Sequence, residues 1–461
     1  EVVVVGYGAQ KKENLTGAVA SVDIEKTLGG RPVSDVGRGL QGTTPGLSIA
    51  VPSGELGSDP TIKIRGQIGS LDGGSSPLIL LDNVEIPSLQ MVNSDDIESI
   101  SVLKDAASAS IYGAKGAFGV ILITTKKGAK TESVNVSYSG TFSWQNISKK
   151  MDMARLNGLE YSIDASKRVK GPGAEVSGAF FQMTEEGLEL AREWDKNYGG
   201  KLGPNDPMVY GRDWYVDSQK RKIGLRTYDP YDYMIREWAP SMTHNLSLNG
   251  KSGKTTYNVG LGYLDQDGIN KPAKKDDFKR YNASIKLSTE INKYVTVRAG
   301  AIYSKREKRY AYSTSSTTAD QWLYLYRWGS NMPLGYDDEG DIIRSPHSEL
   351  SQANTAKREW NYTNINLGAT FNIMKDWTLD VDYTYAGEDN IINEGGTRYT
   401  ALQSWGGAIP KLDSNGNQIY VDNTGAVVDS GTPGAMPAQK LSLVEYTSHG
   451  SNPDHIYRRV A

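Results

Sequence analysis

Between residues 133 and 386 the chain repeatedly alternates apolar and polar residues with period two, and this constrains its fold more than any other feature. Successive side chains of an extended strand point to opposite faces, so such a segment makes a sheet with one apolar and one polar side. In "SVNVSYSGTFSW" one face carries Val134, Val136, Tyr138, Phe142 and Trp144. "TYNVGLGY" aligns Tyr257, Val259, Leu261 and Tyr263. "RYNASIKLSTEI" sets Tyr281, Ala283, Ile285, Leu287 and Ile291 against Asn282, Ser284, Lys286, Ser288 and Glu290. "KYVTVRAGAIY", "NYTNINLGATFNI" and "WTLDVDYTYAG" continue the pattern, and with the shorter "HNLSLNG" the reading is seven strands.

Alternation suits both a soluble sandwich and a membrane barrel, since each hides one face from water. Two further features favour the barrel. Aromatic residues recur at the ends of the apolar faces, as girdles at a membrane–water boundary do. The connections also alternate in length: "GKSGK", "NK" and "MKD" are tight, whereas residues 146–243 and 305–361 form long polar stretches. Short turns on one side and long loops on the other are the asymmetry of an outer-membrane barrel. The polar face suits a lumen holding water or a polar plug. Seven strands cannot close so wide a barrel, and an open sheet edge cannot sit in lipid. The expectation is therefore the N-terminal portion of a longer chain.

Composition removes several functional classes. The chain has 461 residues, 51 basic and 54 acidic, for a net charge of −3, which gives no attraction to nucleic acid. It has no cysteine, and no two of its four histidines (His244, His347, His449, His455) sit at a metal-ligand spacing within a helix or strand, so metal hydrolase or triad chemistry is poorly supplied. No catalytic residue, metal site or cofactor is expected. Tyr (27) and Trp (9) outnumber Phe (6), a balance that suits an interface apolar at one end and wet at the other. No run reaches the roughly 20 apolar residues of a spanning helix.

The chain opens "EVVVVGYGAQ". An apolar run before Gly-x-Gly can begin a dinucleotide-binding unit, but the third glycine is replaced by Lys11 and no helical stripe follows. Residues 1–130 are Gly-rich, with short apolar strands at Thr61–Ile64, Leu78–Leu81 and Val120 onward. Asp105 before "AASAS", with Gly113 after it, reads as the N-cap and C-cap of a short helix. "YDDEGDI" reads as an acidic hairpin turn without the ligand spacing of a calcium loop, and "LDSNGNQIY" as an Asn-Gly hairpin.

Residues 97–128, "IESISVLKDAASASIYGAKGAFGVILITTKKG", resemble the plug signature of SusC-like TonB-dependent outer-membrane transporters of Bacteroidetes. The matching elements are Val102-Leu103-Lys104-Asp105, Ile111-Tyr112-Gly113 and Gly119-Val120-Ile121 leading into Ile123-Thr124-Thr125. "TIKIRG" and "PLILLDNVEI" resemble two more plug motifs, although Asp82-Asn83 stands where the family commonly has Asp-Gly. "HNLSLNGKSGKTTYNVGLGYLDQDGI" resembles an early barrel hairpin.

The resemblance implies a mainly β fold, with a mixed α/β plug inside a large antiparallel transmembrane β-barrel of which this chain holds the first strands. It divides the chain into a TonB-box-like segment at 1–8, a plug at 9–130 and a partial barrel of about seven or eight strands at 131–461. It implies that Val2, Val3, Val4, Val5 and Gly6 are the segment the TonB–ExbB–ExbD complex grips. A β-branched strand with open backbone groups is what an exposed sheet edge captures by strand addition, and it is otherwise an aggregation hazard. The resemblance further assigns Arg65 and Gly66, with Tyr112 and Gly113, to seating the plug, the arginine facing carboxylates on the barrel wall. It implies active import of an oligosaccharide or peptide across the bacterial outer membrane, beside outer-membrane lipid and a SusD-like surface lipoprotein, with no covalent chemistry on this chain. The rival readings are a passive channel or surface receptor without energy coupling, and a siderophore or cobalamin transporter.

Overall fold

The computed structural model describes residues 2–5, 8–11, 19–22, 36–51, 55–66, 76–126, 128, 132–173, 175, 181–312, 323, 325, 327–374, 377–393, 397–448 and 454–460. At the N-terminus β1 (Val2–Val5) pairs antiparallel with β2 (Gly8–Lys11), Val2 opposite Lys11 and Val5 opposite Gly8.

The plug is built on a five-stranded mixed sheet of β3 (Val19–Val22), β6 (Leu78–Leu81), β7 (Val84–Glu85), β8 (Ile97–Leu103) and β9 (Val120–Thr125), in the order β3-β8-β9-β6-β7. A separate hairpin joins β4 (Leu47–Ala50) to β5 (Thr61–Ile64). The central strands β8 and β9 are continuous apolar runs because both faces are covered, and Ile100, Val102, Leu103, Val120 and Ile121 are fully buried. One face packs on Val36, Leu40, Ile49, Ile64 and Leu89, and the other, carrying Leu80, Leu103 and Leu122, packs on Ala109 and Tyr112. The β6–β7 turn is tight, with Asp82 at φ +48 and Asn83 at φ +70. Both central residues of such a turn need positive φ, and asparagine tolerates that region, so Asn83 serves where glycine is usual. Asp105 caps its helix as expected, accepting from Ser108 N at 2.8 Å. The helix stops at Ala109 and passes into a 3₁₀ segment, Ser110–Gly116, so Gly113 at φ +58 is a kink and not the helix's C-cap.

The wall is one antiparallel sheet of eight strands in strictly sequential order: β10 (Val134–Gln145), β11 (Ala239–Ser252), β12 (Thr255–Asp267), β13 (Asp277–Asn292), β14 (Val295–Ala311), β15 (Thr355–Met374), β16 (Trp377–Asn393) and β17 (Asp454–Val460). The seven strands read from alternation are all present, and the eighth pairs β16 through Gly387 opposite Val460. The strands run from 7 to 20 residues, and β10–β16 all exceed the roughly 9–11 needed to cross a bilayer. Register sets Val136, Leu248, Val259, Ile285, Ala301, Ile365 and Tyr385 side by side in one row across β10–β16. That face is an apolar belt left open: Val136 is 66% exposed and Tyr383 67%. Such a surface is stable only against another apolar phase. No helix among the described residues is long and apolar enough to cross a membrane.

Antiparallel order places all tight turns at one end of the sheet and the connections 146–238, 312–354 and 394–453 at the other. These connections are not simply polar loops. They share an apolar core containing Phe181, Tyr210, Trp214, Trp328, Ile343, Leu350 and Leu402. Helices Arg155–Lys170 and Glu185–Tyr198 add a second core around Ile163, Leu188 and Trp194. Hairpin turns there repeat one device: Asp337, Asp413 and Asp422 each accept through Oδ1 the backbone N–H groups two and four residues on.

Candidate functional site

The polar face of the wall holds the plug. Strand alternation places Ser247, Asn258, Asn282, Ser304 and Asn364 on that face, and all five are buried. The amides of Asn258 and Asn282 and the hydroxyl of Tyr362 reach across to plug carbonyls. Asn258 Nδ2 donates to Lys126 O at 2.7 Å, Asn282 Nδ2 to Gln90 O at 3.1 Å, and Tyr362 Oη to Glu85 O at 3.3 Å. Tyr362, with Ile302 and Ala386, also extends the plug's apolar core onto the wall.

Charge reinforces this contact with a polarity opposite to that expected. The wall supplies cations and the plug carboxylates. Lys286 of β13 binds Asp82 and Thr125. Arg306 of β14 meets Asp59 at 3.2 Å, and Lys308 meets Glu55. Asp82 also accepts from Thr125 N at 3.0 Å, so the carboxylate joining plug to wall is held by the β6–β7 turn itself.

Asp95 and Asp96 extend the contact towards β10 and β13. Asp95 accepts from Ser139 of β10, and Asp96 Oδ2 accepts from Ser284 Oγ at 3.1 Å. Burial raises the Asp96 carboxyl above its ordinary range, an effect the Ser284 and Ser247 hydroxyls oppose. A cavity of about 30 Å³ adjoins it, lined by Asp96, Thr125, Asn258, Asn282 and Lys286. Leu81, Met91, Val92 and Ile302 complete its mainly apolar lining.

The residues expected from resemblance to seat the plug, Arg65, Gly66, Tyr112 and Gly113, are not among the groups that make these bonds to the wall. Arg65, at φ +53, and Gly66 form the exposed end of β5. Arg65 N donates to Gly46 O at 2.7 Å, and its guanidinium has no ion pair with a wall carboxylate among the described residues. Tyr112 packs against Leu80, Leu103 and Val120 inside the plug, and Gly113 shapes the adjoining kink. The seating residues Lys286, Arg306, Lys308 and Asp96 escaped the sequence reading as a set. Their available signal was a cation on the polar side of a strand whose other side is apolar, which Lys286 showed and which Arg306 and Lys308 continue beyond Tyr303.

Of the proposed coupling segment, Val2–Val5 form β1, and Gly6 lies outside the described residues. The expected open strand is half occupied: β2 covers one edge, and no strand pairs the other among the described residues. "YDDEGDI" forms the acidic hairpin turn expected. Asp337, Glu339 and Asp341 converge there, and Glu339 is paired with Lys411 and Lys440 at 3.4 and 3.1 Å.

Comparison with known proteins places this architecture. The family model described as TonB-dependent Receptor Plug Domain matches residues 11–120. TonB-dependent receptor SusC of Bacteroides thetaiotaomicron is 31% identical over 321 residues, covering 68% of this chain and 27% of that protein. TonB-dependent receptor P39 of Formosa agariphila is 32% identical over 299 residues, covering 64% and 24% respectively. The chain thus spans about a quarter of the length of these curated relatives. Among solved structures, the RagAB peptide importer in its open-open state superposes with a TM-score of 0.60 at 23% identity, over 87% of this chain and 43% of the other. At that identity the likeness concerns fold, and it is the fold described above: a plug seated on the polar face of a large antiparallel sheet. Plug match, SusC homology and shared architecture agree, and the chain belongs to the SusC-like TonB-dependent receptors.

Proposed function

We propose that this chain is the plug and part of the wall of an active importer that carries oligosaccharides or peptides across the bacterial outer membrane. The observation that carries the reading is the two-sidedness of the wall: an exposed apolar belt on one face, and on the other a plug held by hydrogen bonds and ion pairs. A contact made of many modest polar bonds can be exchanged for water without exposing a large apolar surface. That is what a gate opened by pulling requires. In this reading the TonB–ExbB–ExbD complex adds a strand to the uncovered edge of Val2–Val5 and draws on the plug. A SusD-like surface lipoprotein delivers substrate over the outer connections. Arg65 is exposed, and we assign it, with Gly66, Tyr112 and Gly113, a part in seating the plug against wall beyond the strands described.

Deleting Val2–Val5 from the protein in cells tests the reading. Uptake of the oligosaccharide or peptide on which growth depends should cease while the amount of protein in the outer membrane is unchanged. Uptake that persists would identify a passive channel. Mass spectrometry of proteins co-purifying with the chain should reveal the lipoprotein.

A further inference from the structure

Near the outer ends of the strands, the polar face of the wall gathers cations in opposed pairs. In one row Arg280 of β13 stands opposite Arg306 of β14, and in the next Lys308 of β14 stands opposite Arg358 of β15. Neither row carries a carboxylate between β12 and β16, although Asp276, just outside β13, bears electrostatically on Lys308. Like charges directly opposite one another destabilise a sheet. On the other side of the same strands the signs are matched instead: Lys279 meets Asp265 at 2.9 Å and Arg309 meets Asp277 at 2.7 Å. Arg306 and Arg358 also share the ring of Trp360, at 5.4 and 5.8 Å from its centre.

The plug answers this cluster with one turn of the connection between β4 and β5. Ser58 N donates to Glu55 O at 3.3 Å, and the acids at either end of the turn, Glu55 and Asp59, reach Lys308 and Arg306. Asp59 is further held by the Ser88 hydroxyl. Between the acids, Gly57 lies against Phe278 of β13, where an added Cβ would overlap the ring. The wall at that point admits a bare backbone and nothing thicker. Burial is unequal across the contact. The Arg306 and Lys308 side chains are 8% and 11% exposed, whereas those of Asp59 and Glu55 are 45% and 59% exposed. Water reaches the carboxylates and hardly the cations. Withdrawing the turn alone would leave two buried cations without their ion pairs, which is costly. Exchanging each carboxylate for an incoming one leaves neither cation bare.

We propose that this cluster receives acidic peptide cargo, two of whose carboxylates replace those of Glu55 and Asp59 and free the turn from the wall. The occupant it already holds is a peptide with acids four residues apart, seated on Phe278 through a glycine. A uronate oligosaccharide offers carboxylates, but its ring is thicker than the backbone at Gly57. The proposal narrows the substrate class of the import reading and rests on it for the cargo's route, whereas binding is measured on the chain itself.

The test is isothermal titration, at fixed ionic strength, into the full chain in detergent. The probes are acetyl-Glu-Leu-Gly-Ser-Asp-amide, its uncharged Gln/Asn counterpart, and trigalacturonate. The acidic peptide should bind saturably, and the other two at least about tenfold more weakly. Hydrogen exchange at Leu56–Ser58 should rise with the acidic peptide and stay unchanged with its counterpart. Glu55→Gln and Asp59→Asn together remove the internal competitor, so the acidic peptide should bind about three- to tenfold more tightly. Lys308→Gln should weaken it about tenfold. A contact that only seats the plug predicts no such tightening. The proposal is overturned if the acidic peptide does not bind, if either other probe binds as well, or if the double variant binds it no more tightly. Deleting Val2–Val5 leaves this cluster untouched, so import and binding fail separately.

Discussion

The carboxylate of Asp96 lies directly against Gly260: a Cβ built on that glycine would stand 1.7 Å from Asp96 Oδ2. The plug approaches the wall as closely as a backbone without a side chain permits. Gly260→Ala should therefore displace the carboxylate and break its 3.1 Å bond with Ser284. The expected cost is about 1–3 kcal/mol, read as a lower urea midpoint and faster proteolysis of the plug. Gly300→Ala is the control, since the nearest atoms to its added Cβ are 3.6 and 3.9 Å away, and it should stay within about 0.5 kcal/mol of wild type.

Asp96 also makes plug seating sensitive to pH. Burial raises its carboxyl above the ordinary 3.8, so the native state holds this proton more tightly than the unfolded state does. The stability it contributes is complete below about pH 3.8 and is lost as pH rises through the folded value. Asp96→Asn keeps an acceptor for Ser284 and removes that loss. Urea midpoints should be higher than wild type at neutral pH and converge with it towards pH 3.8. A lower midpoint at neutral pH would mean that the ionised carboxylate is what holds the seat.

Arg306 and Asp59 offer a direct measure of coupling between plug and wall. The arginine side chain is 8% exposed and also lies 5.4 Å from the Trp360 ring centre, whereas Asp59 is 45% exposed and screened by water. A double-mutant cycle with Arg306→Ala and Asp59→Ala should give a coupling of about 0.5–1 kcal/mol. Arg306→Ala alone should cost more than Asp59→Ala, because it removes the ring contact as well.

The outer connections should gain stability with rising pH in two separate steps. Burial lowers His347 from 6.5 to about 4, with Lys271 adding to the effect. Burial also lowers Lys222 from 10.5 to about 8, although its ammonium donates to Ser404 O. The folded state binds fewer protons than the unfolded state in both windows, about 4–6.5 and about 8–10.5, so stability rises across each and is flat between them. Each step is at most on the order of 3 kcal/mol. His347→Phe should abolish the lower step and Lys222→Met the upper, followed by tryptophan fluorescence during thermal unfolding.

Much of the architecture could be read along the chain because its causes are local. Period two assigned Val136 and Leu367 to one face and Asn258 and Ser284 to the other, and a barrel wall preserves that assignment whatever lies beyond it. Asp105 capping its helix and the tight turn after Ser252 depend on neighbours a few residues away. The plug motif between Ile97 and Gly128 needed no tertiary information.

Partnership was decided only in three dimensions. Lys286 and Asp82 are 204 residues apart, and Arg306 and Asp59 are 247 apart; no periodicity links them. Arg65 looked like the seating cation because a lone charge in a small, apolar stretch stands out, but among the described residues the wall supplies the cations and the plug the carboxylates. The outer connections read as polar because their core residues, Trp214, Ile343 and Leu402 among them, are scattered singly through three separate segments. Strand patterning therefore settled which face each residue occupies, since that follows from backbone geometry alone. Which groups meet across the faces depended on the folded path of the whole chain, because hydrogen bonds and ion pairs are made only where that path brings donor and acceptor within about 3 Å.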